Sequence, residues 1–182
     1  MRAAEAFAAG RERDALRLLR PLRRRMPEAG SVRELFGLSL YRTGRYAEAA
    51  AELGALVDLT GTTESHPVLM DCHRALGDHE RVEELWEELA AASPSPEVMV
   101  EGRIVRASTL AERGRLGQAL GVLRRPAAAV RRPREHHLRL WYVLADLEER
   151  AGDLPAARRW FGRVRDHDRA FADVAQRLAG LG

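Results

Sequence analysis

The chain has 182 residues, 46% apolar and 31% charged, a balance that fits a folded soluble protein and argues against disorder. Aromatics supply only 5%, Ile104 is the single isoleucine, and all 30 basic side chains are arginine against 27 acids, leaving a net charge of +3; such a mixture favours helix over strand. A lone Cys72 excludes an internal disulfide and any paired-cysteine metal or redox site, no apolar run approaches the ~20 residues that span a bilayer, and the N-terminus carries no signal-peptide pattern.

The predicted elements, in chain order, are helices at 1–9, 12–25, 31–43, 46–59, 65–76, 79–92, 96–113, 116–125, 134–151, 154–165 and 168–180, with no strand. Their spacing is repetitive. Gly10, Gly44, Gly77, Gly114 and Gly152 each separate two stretches of apolar periodicity. Five residues after each glycine stand Ala15, Ala49, Val82, Ala119 and Ala157, and four further on stand Leu19, Leu53, Trp86, Leu123 and Phe161. Seven residues before each glycine stand Ala3, Gly37, Met70, Ala107 and Ala145. A glycine that ends one helix supplies the left-handed conformation satisfying its last carbonyls, and a second helix starting within about two residues must fold back as a hairpin. The small residue in the first helix then admits the second, whose large residue fills the gap, so Trp86 and Phe161 are expected to be buried within their hairpins.

Start signals support the frame. Ser31 and Glu34 make a capping box, and Ser65, Ser95 and Asp153 each precede a first-turn proline at Pro67, Pro96 and Pro155. Pro126 should stop or kink the helix before it. The last stretch, Asp168 to Leu178, has no partner after it; Phe171, Val174, Ala175 and Leu178 give it one apolar face to close the end of the array.

In this register the chain resembles tetratricopeptide-repeat (TPR) proteins, whose 34-residue unit is a helix–turn–helix. Trp141, Leu144 and Ala145 followed by Ala157 and Phe161 form the best copy, and Phe36, Gly37, Gly44, Tyr46, Ala49 and Leu53 the next; Pro27 and Pro94 take end-of-unit positions. The resemblance implies an all-α, right-handed superhelical α-solenoid of about five TPR-like repeats plus a C-terminal capping helix. It is expected to form one domain over 1–182, with units at 1–29, 30–62, 63–95, 96–133 and 134–167 and the cap at 168–182.

Catalytic motifs are lacking. Gly37-Leu38-Ser39-Leu40-Tyr41 has no second glycine and lies within a helix, whereas a nucleophile elbow needs a strand-to-helix turn. There is no phosphate-binding glycine loop and no HExxH. The chain is therefore expected to be non-catalytic and to need no cofactor. His66, Asp71, Cys72, His73 and His79 fall within one unit, but adjacent residues on a helix point about 100° apart, so 71–73 cannot converge on a metal and no metal site is expected. Arg23-Arg24-Arg25 and the arginines of 131–134, with a pI near 9.7, suit phosphate pairing, so Arg-mediated binding to an RNA or DNA backbone is the alternative function.

What the TPR resemblance implies first is a non-catalytic scaffold or adaptor, working in the cytoplasm, that binds a peptide or protein in a concave groove lined by the first helix of each unit. The family's groove positions fall on Glu34, Leu38, Tyr41, Arg42, Asp71, Arg74, Ile104, Ser108, Arg139, Tyr142, Asp146 and Glu149. The Lys and Asn clamp of TPR co-chaperones cannot exist in a chain lacking both residue types, although Arg42, Arg74 or Arg139 could grip an acidic peptide by forked hydrogen bonds. Residues 61–101 carry two arginines against ten acids, and residues 102–140 ten arginines against two acids. Charge pairing at their junction, and a homodimer joining the acidic segment of one copy to the basic segment of another, are the resulting expectations; a self-associating structural module is thus a further alternative.

Overall fold

The computed structural model describes residues 2–181. Among them lie eleven helices and no strand: α1 (Arg2–Ala8), α2 (Glu12–Arg25), α3 (Gly30–Arg42), α4 (Tyr46–Thr60), α5 (His66–Ala75), α6 (His79–Ala92), α7 (Pro96–Glu112), α8 (Leu116–Ala129), α9 (Glu135–Arg150), α10 (Leu154–His167) and α11 (Val174–Gly180). The helix ends expected at Met1 and Gly182 fall outside the described residues. The chain divides into two compact units, one holding α1–α6 as far as Pro94 and one holding α7–α11 from Ser95.

In the first unit α1 pairs with α2, α3 with α4 and α5 with α6, while α2 also packs on α3 and α4 on α5. In the second unit α7 pairs with α8 and α9 with α10, α9 also packs on α7 and α8, and α11 lies on α10. Each hairpin turns at its glycine, with φ from +66° at Gly10 to +81° at Gly152. The same two bonds close every turn. At the second, Gly44 N donates to Tyr41 O (3.0 Å) and Arg45 N to Leu40 O (3.0 Å); at the last, Gly152 N donates to Glu149 O (2.9 Å) and Asp153 N to Glu148 O (3.0 Å). These are the carbonyls a helix end otherwise leaves unsatisfied, which is why the register keeps glycine there.

Behind the turns, the small and large register positions meet. A methyl group placed on Gly37 would lie 2.8 Å from Leu53 Cδ2, so the hairpin of α3 and α4 is as tight as the absence of a side chain permits. Ala107, Ala119 and Leu123, and likewise Ala145, Ala157 and Phe161, are buried in the core of the second unit, which Leu140, Leu144 and Val174 extend. The first unit buries Ala3, Ala15 and Leu19 in one cluster and Leu16, Leu40, Ala49 and Cys72 in another.

Several local expectations are corrected. Trp86 is half-buried, unlike Phe161; Val82, Leu85 and Leu89 fill the seam of α6 instead. Ser31 does not cap α3, which begins at Gly30 with Ala29 as its N-cap. The buried Arg33 donates from Nη2 to Pro27 O (2.9 Å), pinning the incoming chain so that Ser31 falls inside the first turn. Ser65 occupies the N-cap of α5 but its side chain makes no capping bond, whereas Ser95 accepts from Val98 N and Asp153 from Ala156 N. Pro126 does not end α8, which continues to Ala129. Ala127 is drawn fully into the core and its carbonyl accepts from the Trp141 indole (3.1 Å), anchoring the turn that the proline would otherwise release. The terminal helix is shorter than expected, starting at Val174, because Ala172 adopts a left-handed φ of +46°. Val174 is buried and Phe171 and Leu178 are half-buried, but Ala175 is exposed.

Candidate functional site

The groove positions fall on first helices, and within each unit these helices reach one another through polar side chains. In the first unit Tyr41 on α3 donates its hydroxyl to Asp71 Oδ2 on α5 (2.7 Å), and Arg74 donates from Nε to Asp71 Oδ1 (2.8 Å). The two donors hold the half-buried Asp71 carboxylate by one oxygen each. Burial, followed by the bond to Asp71, pushes the Tyr41 phenol well above its ordinary pKa, so Tyr41 acts as a hydrogen-bond donor at any physiological pH. Beside it, burial pushes the Cys72 thiol up to about 12, with the Asp71 charge adding to the effect. Such a thiol is neutral and a poor nucleophile or metal ligand.

Arg42 leaves this group and turns back across α1. Its guanidinium lies 3.9 Å from the Phe7 ring centroid, donates to Phe7 O (3.3 Å) and approaches Glu12 (3.7 Å). Leu38 is half-buried beside Tyr41 on the same helix, and Glu34 is exposed.

In the second unit Arg139 on α9 donates from Nε to Glu101 on α7 (2.8 Å) and from Nη1 to Glu135 (2.7 Å). Ile104 and Ser108 on α7 are half-buried, Ile104 against the core. The remaining three positions are taken by the C-terminal segment. Tyr142 donates to Asp173, and its ring lies 5.3 Å from Phe161 and 5.9 Å from Phe171. Asp146 and Glu149, one helical turn apart, both accept from Arg177 Nη2 (2.8 and 2.7 Å). Arg177 also lies over the Phe161 ring at 4.8 Å. The family's groove positions include Tyr142, Asp146 and Glu149 but not Arg177 or Asp173. The available signal is a cation in the cap, following a helix with two acids on one face.

Two other polar groups escaped the sequence. Glu148, with a side chain only 2% exposed, accepts both Arg124 donors (2.8 and 2.7 Å). Glu52 joins α2 to α3 by accepting from Arg23 (2.7 Å) and Arg33 (3.0 Å). Of the histidines near Cys72, His66 on α5 is bonded to Glu88 on α6 (3.0 Å) and His73 to Asp78 (3.0 Å). No helix among the described residues is long and apolar enough to cross a membrane.

The tetratricopeptide repeat family model matches residues 1–61 and 104–174. The chain belongs to the tetratricopeptide repeat family. No curated protein matches it in sequence. Among solved structures it is similar to a thermophilic TPR protein of Thermus thermophilus, at TM-score 0.76 and 19% identity over 98% of this chain and 94% of that one. It is also similar to a tetratricopeptide repeat protein from Parabacteroides merdae, at TM-score 0.75 and 15% identity over 99% of this chain and 68% of that one. At these identities the likeness establishes the fold, an all-α TPR solenoid. TPR proteins are generally non-catalytic scaffolds for protein interaction, and the TPR hairpins here present their first helices with half-exposed aromatic and charged side chains.

Proposed function

We propose that this TPR protein is a non-catalytic adaptor, acting in the cytoplasm, that holds a peptide or protein segment against the first helices of its hairpins. The observation that carries the reading is the Tyr41–Asp71–Arg74 group. It sits half-exposed across two consecutive first helices, beside the apolar side chain of Leu38. A peptide laid over α3 and α5 would meet an aromatic ring, an apolar side chain and a guanidinium, the mixture that anchors most interface energy. A partner carboxylate could replace Asp71 at Arg74 by a forked bond.

The test is capture from native extract by the tagged full chain, followed by mass spectrometry, with wild type compared against Leu38→Asp with Tyr41→Ala. The expected result is a protein retained by wild type and lost from the variant while its helical circular dichroism persists. Equal retention by both would reject the groove. Nucleic acid retained at ~150 mM salt and shed steeply above it would transfer the reading to phosphate binding.

A further inference from the structure

The exposed face of the second helices in the first unit carries an ordered charge pattern. Four positions recur 3, 7, 10 and 14 residues after each turn glycine. In α2 they are Arg13, Arg17, Arg20 and Arg24; in α4 they are Ala47, Ala51, Gly54 and Asp58; in α6 they are Glu80, Glu84, Glu87 and Ala91. The steps of four, three and four residues put each set in one stripe along its helix. All of these side chains are exposed, and Gly54, half-exposed, has open space where a side chain would project. The Arg23–Glu52 bond ties α2 to α4, and α5, which packs on both α4 and α6, links the last two. The face therefore runs from basic through small and nearly neutral to acidic. The hairpins of the second unit show no such order, with Gly117, Gly121 and Arg124 in one and Pro155, Arg159 and Gly162 in the other.

Much of this charge is unspent. Arg17 is paired with Asp14 within its own helix (3.1 Å), and Glu84 with Arg81 (2.7 Å). Among the described residues Arg13, Arg20, Arg24, Glu80 and Glu87 make no ion pair. A groove of about 350 Å³ runs beside the arginine stripe, lined also by Leu16, Pro21 and Arg45.

We propose that this face binds a second copy of the same chain in a two-fold dimer. An axis lying between the two faces and running along α4 sets α4 against its counterpart, α2 against the other copy's α6, and α6 against the other copy's α2. Rotation about that axis keeps height along the helices. Arg13 then faces Glu80, Arg17 faces Glu84 and Arg20 faces Glu87 of the second copy, and each pair occurs twice. Such an isologous contact is closed and self-complementary. At its centre Ala47, Ala51 and Gly54 let the two parallel α4 helices approach to about 8 Å between axes, with Asp58 left in the last turn of each. A polyanion would satisfy the arginine stripe alone. It would leave unexplained why the complementary acids occupy the same positions of the repeat with small residues between.

Three helices of about 14 residues, each about 21 Å long and about 10 Å wide, give a footprint near 600 Å² per copy. That is the lower end for a specific interface, so the dimer is weak and depends on salt. It shares its acidic half with the segment 61–101 but takes its basic half from α2, not from residues 102–140. It also lies on the opposite helices from the proposed groove, so either can fail without the other.

Sedimentation velocity of the full chain at ~50 mM and ~500 mM salt tests it, because attraction between exposed charges is largely screened at the higher value. The expected result is a dimer at low salt whose dissociation constant rises at least about tenfold at high salt. Arg17→Glu with Arg20→Glu should be monomeric at low salt, and so should Glu84→Arg with Glu87→Arg. An equimolar mixture of these two variants should dimerise again, because every flank then meets its opposite. Ala51→Arg, which alters neither stripe, should also be monomeric. Circular dichroism checks that each variant is folded. A monomeric wild type, variants that dimerise like wild type, or a mixture that stays monomeric would overturn the proposal. Nucleic acid bound by wild type and by the Glu84/Glu87 variant, but not by the Arg17/Arg20 variant, would overturn it in favour of a polyanion site.

Discussion

Replacing Gly37 and Gly54 separately by alanine tests the packing of the second hairpin, because the same chemical change meets opposite surroundings. Both glycines lie inside helices, where alanine is favoured by about 0.5–1 kcal/mol on conformational grounds. At Gly37 the new methyl would sit 2.8 Å from Leu53 Cδ2 and 2.9 Å from Leu53 Cγ. Leu53 is fully buried, so its side chain must shift within the core and overpacking of about 1–3 kcal/mol applies. The net expectation is a loss of about 0–2.5 kcal/mol, centred near about 1, which for a chain of this size lowers the melting temperature by ~2–4 °C per kcal/mol. At Gly54 nothing lies within 4 Å, so only the helical gain remains and Gly54→Ala should stabilise by about 0.5–1 kcal/mol. Urea titration by circular dichroism measures both. It is done at high salt and low protein concentration so that self-association does not contribute. Equal destabilisation by the two variants, or a stabilised Gly37→Ala, would refute the claim that α3 and α4 touch through the missing side chain.

Removing Arg124 should cost more than its exposure suggests. Arg124→Ala strands the buried Glu148 carboxylate, and a loss of about 1–3 kcal/mol in urea unfolding is expected, more than for Arg125→Ala. Cys72 should resist alkylation in the folded protein at pH 8 and react at once in denaturant. Because its folded pKa is raised to about 12 from the ordinary 9.0, the unfolded state gives up the thiol proton first. Its contribution to stability is complete below pH 9 and is lost as pH rises toward 12, read as a falling urea midpoint across that window.

The hairpin frame was legible because it depends on local chemistry. A glycine with positive φ and a small residue facing a large one leave marks at fixed spacing, and the structure places glycine in the left-handed region at all five turns. The misjudged details share a different cause. Each was decided by a residue distant along the chain or by competition among neighbours: Trp141 reaching Ala127 across Pro126, Arg33 tying down Pro27 ahead of Ser31, and Leu85 and Leu89 displacing Trp86 from the seam. The candidate groove divides similarly. The helix register assigned Tyr41, Asp71 and Arg74 to first helices, but their mutual bonding spans 30 residues. The engagement of Asp146 and Glu149 by Arg177 depends on where a short terminal helix lands, which no periodicity encodes.

The division between constrained and unconstrained positions carries the functional argument further. Inside the hairpins the register tolerates little variation, since a methyl group at Gly37 already collides. On the outer stripe of α2, α4 and α6 no packing requirement acts, and any polar residue would serve solubility equally well. Yet the first three of the four equivalent positions change from arginine to small residues to glutamate in step with the hairpins, the fourth being Arg24, Asp58 and Ala91. Scattered surface charge would mix both signs on every helix. Like charges at one-turn spacing also cost each isolated helix a few tenths of a kcal/mol per pair. Arg17 and Glu84 find an opposing charge within their own helices, but a pattern that matches itself when turned about α4 leaves Arg13, Arg20, Glu80 and Glu87 for the opposing charge that the proposed second copy would bring.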